Sequence, residues 1–417
     1  MTGGPEPAQV GVRRVAELET DGSLPDSDPI LMMKIRDEIG RDGRMTFARF
    51  MGIALYDPEA GYYAATTDTG VTGDDRASDR GPGRTGDFLT APEGHPIFGW
   101  AIARQLEEVW ERIGRPSRFV IREHGAGSGA LALGIVDGLR RSDSPLFAAV
   151  RYQAAEVSRA RVAGLRTRLE TAGLGDVLEP ADAIPAPGAI LANELLDALP
   201  VHRVEGSAAG LRERYVTLDS AGGLTTDLGE PSTPALAARL EVEDIHLVPG
   251  QPAEICLALD DWLAAAVVPL ERGLVLLIDY GASAAALYAP VRGSTLRAYH
   301  RHRVHDDPFV AVGRQDLTAH VDLTAVERAA SASGLMALGR TTQAELLAGL
   351  GIGELLVDLQ SRPDTTLQSY LAAKSAVVRM LDPRATGRFA VLAFGRGMND
   401  EPPLVGISLS TSAPTPA

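Results

Sequence analysis

Short apolar runs alternate with amphipathic segments along most of this chain. Residues 118–123, 152–157, 189–192 and 274–279 are runs of the first kind. They are too short for helices and rich enough in branched apolar residues to predict buried strands. Residues 130–140 and 158–172 follow the first two with helical spacing, Leu165 and Leu169 sharing one face. Further on, 320–334 predicts a helix, 336–341 a strand and 389–394 a last strand. This order predicts an α/β fold, a mainly parallel sheet with helices on both faces.

Two regions break the rhythm. Residues 30–55 carry Met32, Ile35 and Ile39, then Phe47, Phe50 and Met51, with Gly40 and Gly43 between the groups. That spacing predicts two helices within an N-terminal helical cap region, 29–115. Residues 203–255 predict an insertion on the substrate side, with an alternating strand over 212–218 and a helix over 234–242. It interrupts a core spanning 116–399. The Gly/Asp/Arg-rich stretch 66–86 reads as a mobile loop or lid. Residues 1–28 and 400–417, poor in apolar side chains, read as disordered.

Composition narrows the function. The 417 residues carry a formal charge of −15, which excludes a non-specific nucleic-acid binder. Cys256 is the single cysteine, so an internal disulfide and a Cys-rich zinc site are excluded. His300, His302 and His305 lie among arginines without clustered acids, and no metal site is expected. No uncharged apolar stretch reaches the ~18–20 residues of a membrane span. The acidic N-terminus lacks the features of a secretory or mitochondrial leader. A cytoplasmic protein is expected, and the arginine-rich, lysine-poor composition suggests a GC-rich bacterial genome.

Candidate chemistry begins at Glu123-His124-Gly125-Ala126-Gly127-Ser128-Gly129. A strand, a glycine turn and a helix start predict a nucleotide-cofactor site, because the turn lets a ligand approach the backbone and the helix presents free N–H groups. Gly125, Gly127 and Ala130 also satisfy the dinucleotide pattern, so S-adenosylmethionine (SAM) and a nicotinamide or flavin dinucleotide both remain open here. Glu156, at the end of the next strand, suits ribose hydroxyls, and Asp182, after a short third strand, suits the adenine amino group. Asn193, Glu194 and Asp197 follow an apolar strand, at the strand end where open α/β sheets bind ligands. Two carboxylates there would orient a guanidinium. His320 is either a base or a helix-start residue, with Thr318 capping.

Taken together, the motifs resemble the MidA family of SAM-dependent methyltransferases, which includes a mitochondrial protein arginine methyltransferase. The resemblance spans about 30–397. It rests on Leu55-Tyr56-Asp57-Pro58 with Gly61-Tyr62-Tyr63, on Gly86-Asp87-Phe88-Leu89-Thr90-Ala91-Pro92-Glu93, on the glycine turn, on Asn193-Glu194-Leu195-Leu196-Asp197-Ala198-Leu199-Pro200, on Ile278-Asp279-Tyr280-Gly281, and on Gln315-Asp316-Leu317-Thr318-Ala319-His320-Val321-Asp322. It implies a Rossmann-like core with a seven-stranded sheet and SAM as cofactor, leaving as S-adenosylhomocysteine. It implies that Glu123, Gly125, Gly127 and Gly129 hold the methionine end and Glu156 the ribose, with Asp87 and Thr90 closing over the cofactor. Asn193, Glu194 and Asp197 would face the substrate, an arginine of a partner protein or peptide. Gly94-His95-Pro96 and Phe98-Gly99-Trp100 depart from the family pattern and put the substrate side in question. A small-molecule or peptide acceptor, and a SAM-binding assembly factor without catalysis, remain alternatives. The oligomeric state is open, a homodimer included.

Overall fold

The computed structural model describes residues 24–63, 90–301, 303–363 and 365–409. The predicted lid 66–86, Asp87 and most of the predicted N-terminal tail lie outside them.

The central sheet has six strands: β1 (Phe119–His124), β2 (Val150–Ala155), β3 (Ala186–Asn193), β4 (Leu270–Asp279), β5 (Met336–Thr342) and β6 (Ala390–Arg396). Their spatial order is β5-β6-β4-β3-β1-β2. β2, β1, β3 and β4 are mutually parallel, and β6 runs antiparallel to both β4 and β5. The sheet is therefore mixed, with six strands rather than the expected seven. Beyond β2, the chain makes a single parallel bridge, Leu178 to Tyr152, and Glu179 N donates to Tyr152 O at 2.9 Å. Pro180 and Pro185 follow and supply no N–H, so no ladder propagates there.

β4 is buried without interruption from Gly273 to Asp279, as a strand covered on both faces must be. One cover is the helix Ile97–Arg112, which packs on the helix Ala130–Arg141. These two meet at glycines: a Cβ on Gly99 would lie 2.5 Å from the Gly134 carbonyl carbon. The helix Ile97–Arg112 thus belongs to the core rather than to the N-terminal cap. The departures from the family pattern are absorbed by this packing. His95 Nδ1 accepts Ile97 N at 3.1 Å, and Trp100 Nε1 donates to Asp137 Oδ2 at 3.0 Å.

The two N-terminal helices, Pro29–Asp42 and Phe47–Tyr56, form as the spacing predicts. Asp28 caps the first through Ile30 N at 3.0 Å. Between them, Met45–Thr46 pairs with Gly210–Leu218, and that strand pairs in turn with His202–Ser207. Phe47, Phe50, Val216, Leu296, Val312 and Leu317 share one buried cluster. Cap and insertion are therefore one subdomain, completed by the small sheet Arg297–His300, Arg303–His305 and Asp316–Thr318.

Two further expectations change. The helix expected at 320 starts at Leu323, capped by Asp322 through Ala325 N at 3.1 Å, because Val321–Asp322 pair with Gly281–Ala282 as strands. The tail expected to be disordered is docked over 400–409. Leu404 and Ile407 are buried, and Gly406 N donates to Gln105 Oε1 at 3.1 Å. Among the described residues no helix is long and apolar enough to cross a membrane.

Candidate active site

The site lies where β1, β3 and β4 end side by side, His124 beside Ala192 and Asn193 beside Ile278. After β1, Gly125, Gly127 and Gly129 take φ values of +68°, +54° and +80°, a region that strains residues with a Cβ. Space reinforces the choice. A Cβ at Gly125 would meet Leu195 Cδ1 at 2.6 Å, and one at Gly129 would meet Leu165 Cγ at 2.7 Å.

Glu156 braces this turn from the end of β2. Its Oε2 accepts Gly127 N at 3.0 Å and its Oε1 accepts Ser158 N at 3.1 Å. Glu123 lies beneath, buried, with its Oε2 accepting the Tyr152 hydroxyl at 2.6 Å. Burial pushes its pKa up to about 8, against the pull of that hydrogen bond. Thr90 begins the short helix Ala91–Gly94, and Glu93 of that helix accepts the Ser128 hydroxyl. The segment before the core is thereby fastened to the glycine turn.

The β3 end carries the second group. Glu194 takes φ +53°, rare for a residue with a side chain, while its N–H donates to Ile278 O at 2.8 Å. Asp279 holds the loop that follows. Its Oδ2 accepts Leu195 N, Leu196 N and Asp197 N at 3.1, 2.8 and 3.3 Å, and its Oδ1 accepts Tyr280 N at 2.8 Å. Burial and the nearby Asp197 push the Asp279 pKa up, and these amides pull against them. Burial, then Asp197, pushes Glu194 up to about 8, and burial pushes Asp197 up to about 6. Asn193 Nδ2 donates to Glu194 Oε1 at 3.1 Å, leaving Asn193 Oδ1 buried without a donor.

The structure thus brings together Glu123, the three glycines, Glu156, Asn193, Glu194 and Asp197. Two predicted residues stand apart. Asp182 is exposed on the rim, its Oδ1 accepting Ile184 N at 3.1 Å and lying 3.5 Å from Arg122. His320 Nδ1 is paired with Arg292 at 3.0 Å, and its ring meets Tyr280 rather than Asp197. Burial, then Arg292, lowers its pKa to about 4. Asp279, Tyr152 and Glu93 were missed as site residues. Asp279 ends an apolar run, a signal shared with many strand-end acids; the partners of Tyr152 and Glu93 are distant in sequence.

Residues 101–341 match the Methyltransf_28 family model, described as "Putative S-adenosyl-L-methionine-dependent methyltransferase". The chain belongs to this SAM-dependent methyltransferase family. The resemblance read from the motifs is borne out, and SAM replaces the dinucleotide alternative. A Burkholderia thailandensis structure with bound S-adenosyl-homocysteine is 30% identical, covering 92% of this chain and 97% of that one at a TM-score of 0.77. The mitochondrial protein arginine methyltransferase NDUFAF7 of Rattus norvegicus is 28% identical over 82% of this chain and 78% of its own. The Drosophila melanogaster homolog is 26% identical, over 91% and 88%.

Proposed function

We propose that this methyltransferase carries a methyl group from SAM to a guanidinium nitrogen of an arginine in a partner protein. The observation that carries this reading is the pair Glu194 and Asp197, two enclosed carboxyls at the end of β3 beside the glycine turn. Neither has an arginine or lysine as a hydrogen-bond or ion-pair partner among the described residues. Enclosed carboxyls without a cation favour arrival of one. The arginine methyltransferases among the relatives support a protein acceptor.

The donor set fits SAM. An ionised carboxylate offers about four acceptor sites, so Glu156 can serve two amides and still take the ribose hydroxyls. Asn193 Oδ1 and Glu123 offer acceptors to the ammonium, and the glycine turn leaves the backbone open to the methionine end. Asp182 would meet the adenine edge from the rim, and Thr90 would close over the cofactor.

When bound, SAM supplies a methyl on a sulfonium that leaves as a neutral thioether. The residues of the chain position the acceptor and manage its charge. Glu194 and Asp197 orient the guanidinium, whose charge favours their ionised forms. One proton must leave the methylated nitrogen, and an ionised Asp197 or Glu194 would accept it. His320 meets Tyr280 and Arg292 instead and has no part in this step.

The test is methyl-labelled SAM incubated with the protein and a pool of cellular proteins, followed by acid hydrolysis and amino-acid analysis. Label in methylated arginine, lost in Glu194→Gln with S-adenosylhomocysteine affinity kept, is expected. Label in another residue, or none from a protein that binds S-adenosylhomocysteine, would overturn the assignment.

A further inference from the structure

A cleft of about 650 Å³ opens on one face of the insertion sheet. Arg203, Glu205 and Arg214 share that face, because Val204 and Glu213, paired across His202–Ser207 and Gly210–Leu218, are buried on the other. The strand Leu224–Gly229 adds Thr226, and the loop carrying Asp307 and Phe309 supplies a further wall.

Two groups in the cleft keep bonding capacity. Arg214 is occupied, donating to Glu205 Oε2 and, at 3.3 Å, to Thr226 Oγ1. Asp306 lies 3.5 Å from Arg297. Arg203 has Glu254 at 3.8 Å, but Glu254 already accepts Ser294 Oγ at 2.6 Å, Thr295 N at 2.8 Å and Thr295 Oγ1 at 3.0 Å. No N–H of Arg203 makes a hydrogen bond among the described residues, although its side chain is only 19% exposed. A guanidinium carries five donors in a fixed fork, and one held largely out of water without acceptors costs stability. Burial lowers its pKa, opposed by Glu254 and reinforced by Arg214. Phe47 fixes the group from below, its ring centroid 5.3 Å from Arg203 Cζ. The second group is Asp307, which accepts Phe309 N at 2.9 Å and has no cation as partner among the described residues.

A carboxylate entering the cleft would fill the Arg203 fork and offset its repulsion with Arg214. Glu205, Asp306 and Asp307 line the same cleft and repel a dianion such as a phosphate more than a single carboxylate. Asp307 suits a segment that also carries a basic residue. The cleft wall leads toward the end of β4: Ser294 lines it, the adjacent Thr295 Oγ1 accepts His320 N at 3.3 Å, and His320 meets Tyr280.

We infer that this cleft holds the segment flanking the acceptor arginine, and that Arg203 takes the carboxylate of an aspartate or glutamate in it. The inference rests on the protein-arginine reading above and gives it a sequence preference. Asp197 and Arg203 are six positions apart, roughly 20 Å at most along an extended chain. The acid should therefore lie within about six residues of the methylated arginine.

The test is fluorescence polarisation on the full chain loaded with S-adenosylhomocysteine. The probes are labelled Gly/Ser peptides with one arginine and one glutamate about two to six residues away, each beside its glutamine counterpart. A glutamate peptide is expected to bind about tenfold more tightly than its counterpart, a difference of about 1.4 kcal/mol. Arg203→Gln should abolish that preference. Arg203→Lys, which keeps a charge beside Glu254 but not the fork, should retain part of it. Both variants should keep the affinity for S-adenosylhomocysteine, which a general loss of structure would not. Equal binding of glutamate and glutamine peptides at every spacing, no binding of either, or a preference that survives Arg203→Gln would overturn the cleft and leave the methyltransferase assignment standing. A glutamate preference that needs Arg203 but persists when citrulline replaces the peptide arginine would keep the cleft and overturn the arginine acceptor.

Discussion

Gly127 donates its backbone N–H to Glu156 Oε2 at 3.0 Å, joining the turn after β1 to the end of β2. The same carboxylate accepts Ser158 N at 3.1 Å. One side chain therefore shapes the cofactor turn and, in the proposed role, takes the ribose. Glu156→Ala should lower affinity for S-adenosylhomocysteine about 10–100-fold, since hydrogen bonds to a charged group contribute about 1.5–3 kcal/mol each. Calorimetric titration of the folded variant checks this; unchanged affinity would remove Glu156 from the site.

Asp279 holds the loop that carries Asp197 through its backbone. It is fully buried and receives four amides from the loop carrying Asp197 and from Tyr280. Asp279→Asn replaces one acceptor oxygen by a donor and leaves amides unpaired. A loss of about 1–3 kcal/mol is expected in urea denaturation. Methyl transfer should fall much further than S-adenosylhomocysteine affinity, because the loop and not the glycine turn is released.

Stability should fall as pH rises through neutrality. Glu123 and Glu194 have folded pKa values raised to about 8 from ordinary values of 4.5. Their neutral forms fit the fold, so their contribution is complete below about 4.5 and is lost as pH climbs to about 8. The melting temperature of the ligand-free protein should decline across that window, and Glu194→Gln should flatten the decline. A rising or level profile in both proteins would show that the two carboxyls are ionised without penalty.

Gly99 and Gly134 test the core independently of the chemistry. Gly99→Ala would press its Cβ to 2.5 Å from the Gly134 carbonyl carbon, a contact with backbone that no side-chain rotation relieves. The helices must separate, at a cost of about 1–3 kcal/mol. Differential scanning calorimetry should show the loss, with S-adenosylhomocysteine affinity at permissive temperature little changed.

The local patterns of the chain determined most of the core. Apolar runs such as 274–279 specified strands because a central strand must be apolar on both faces, and Gly125, Gly127 and Gly129 announced a turn because only glycine adopts that backbone without strain. Glu156, Asn193, Glu194 and Asp197 were legible for the same reason: each follows a buried strand, where polar residues have little structural cause to cluster. Tertiary structure alone decided how distant segments join. Pairing of Met45–Thr46 with Gly210–Leu218 merged cap and insertion, and the burial of Leu404 and Ile407 ordered a tail that is polar by composition. Asp316 met Tyr63 across 253 residues, and Asp279 met Leu196 across 83. Periodicity reports which face of an element is buried; it carries no record of which other element does the burying.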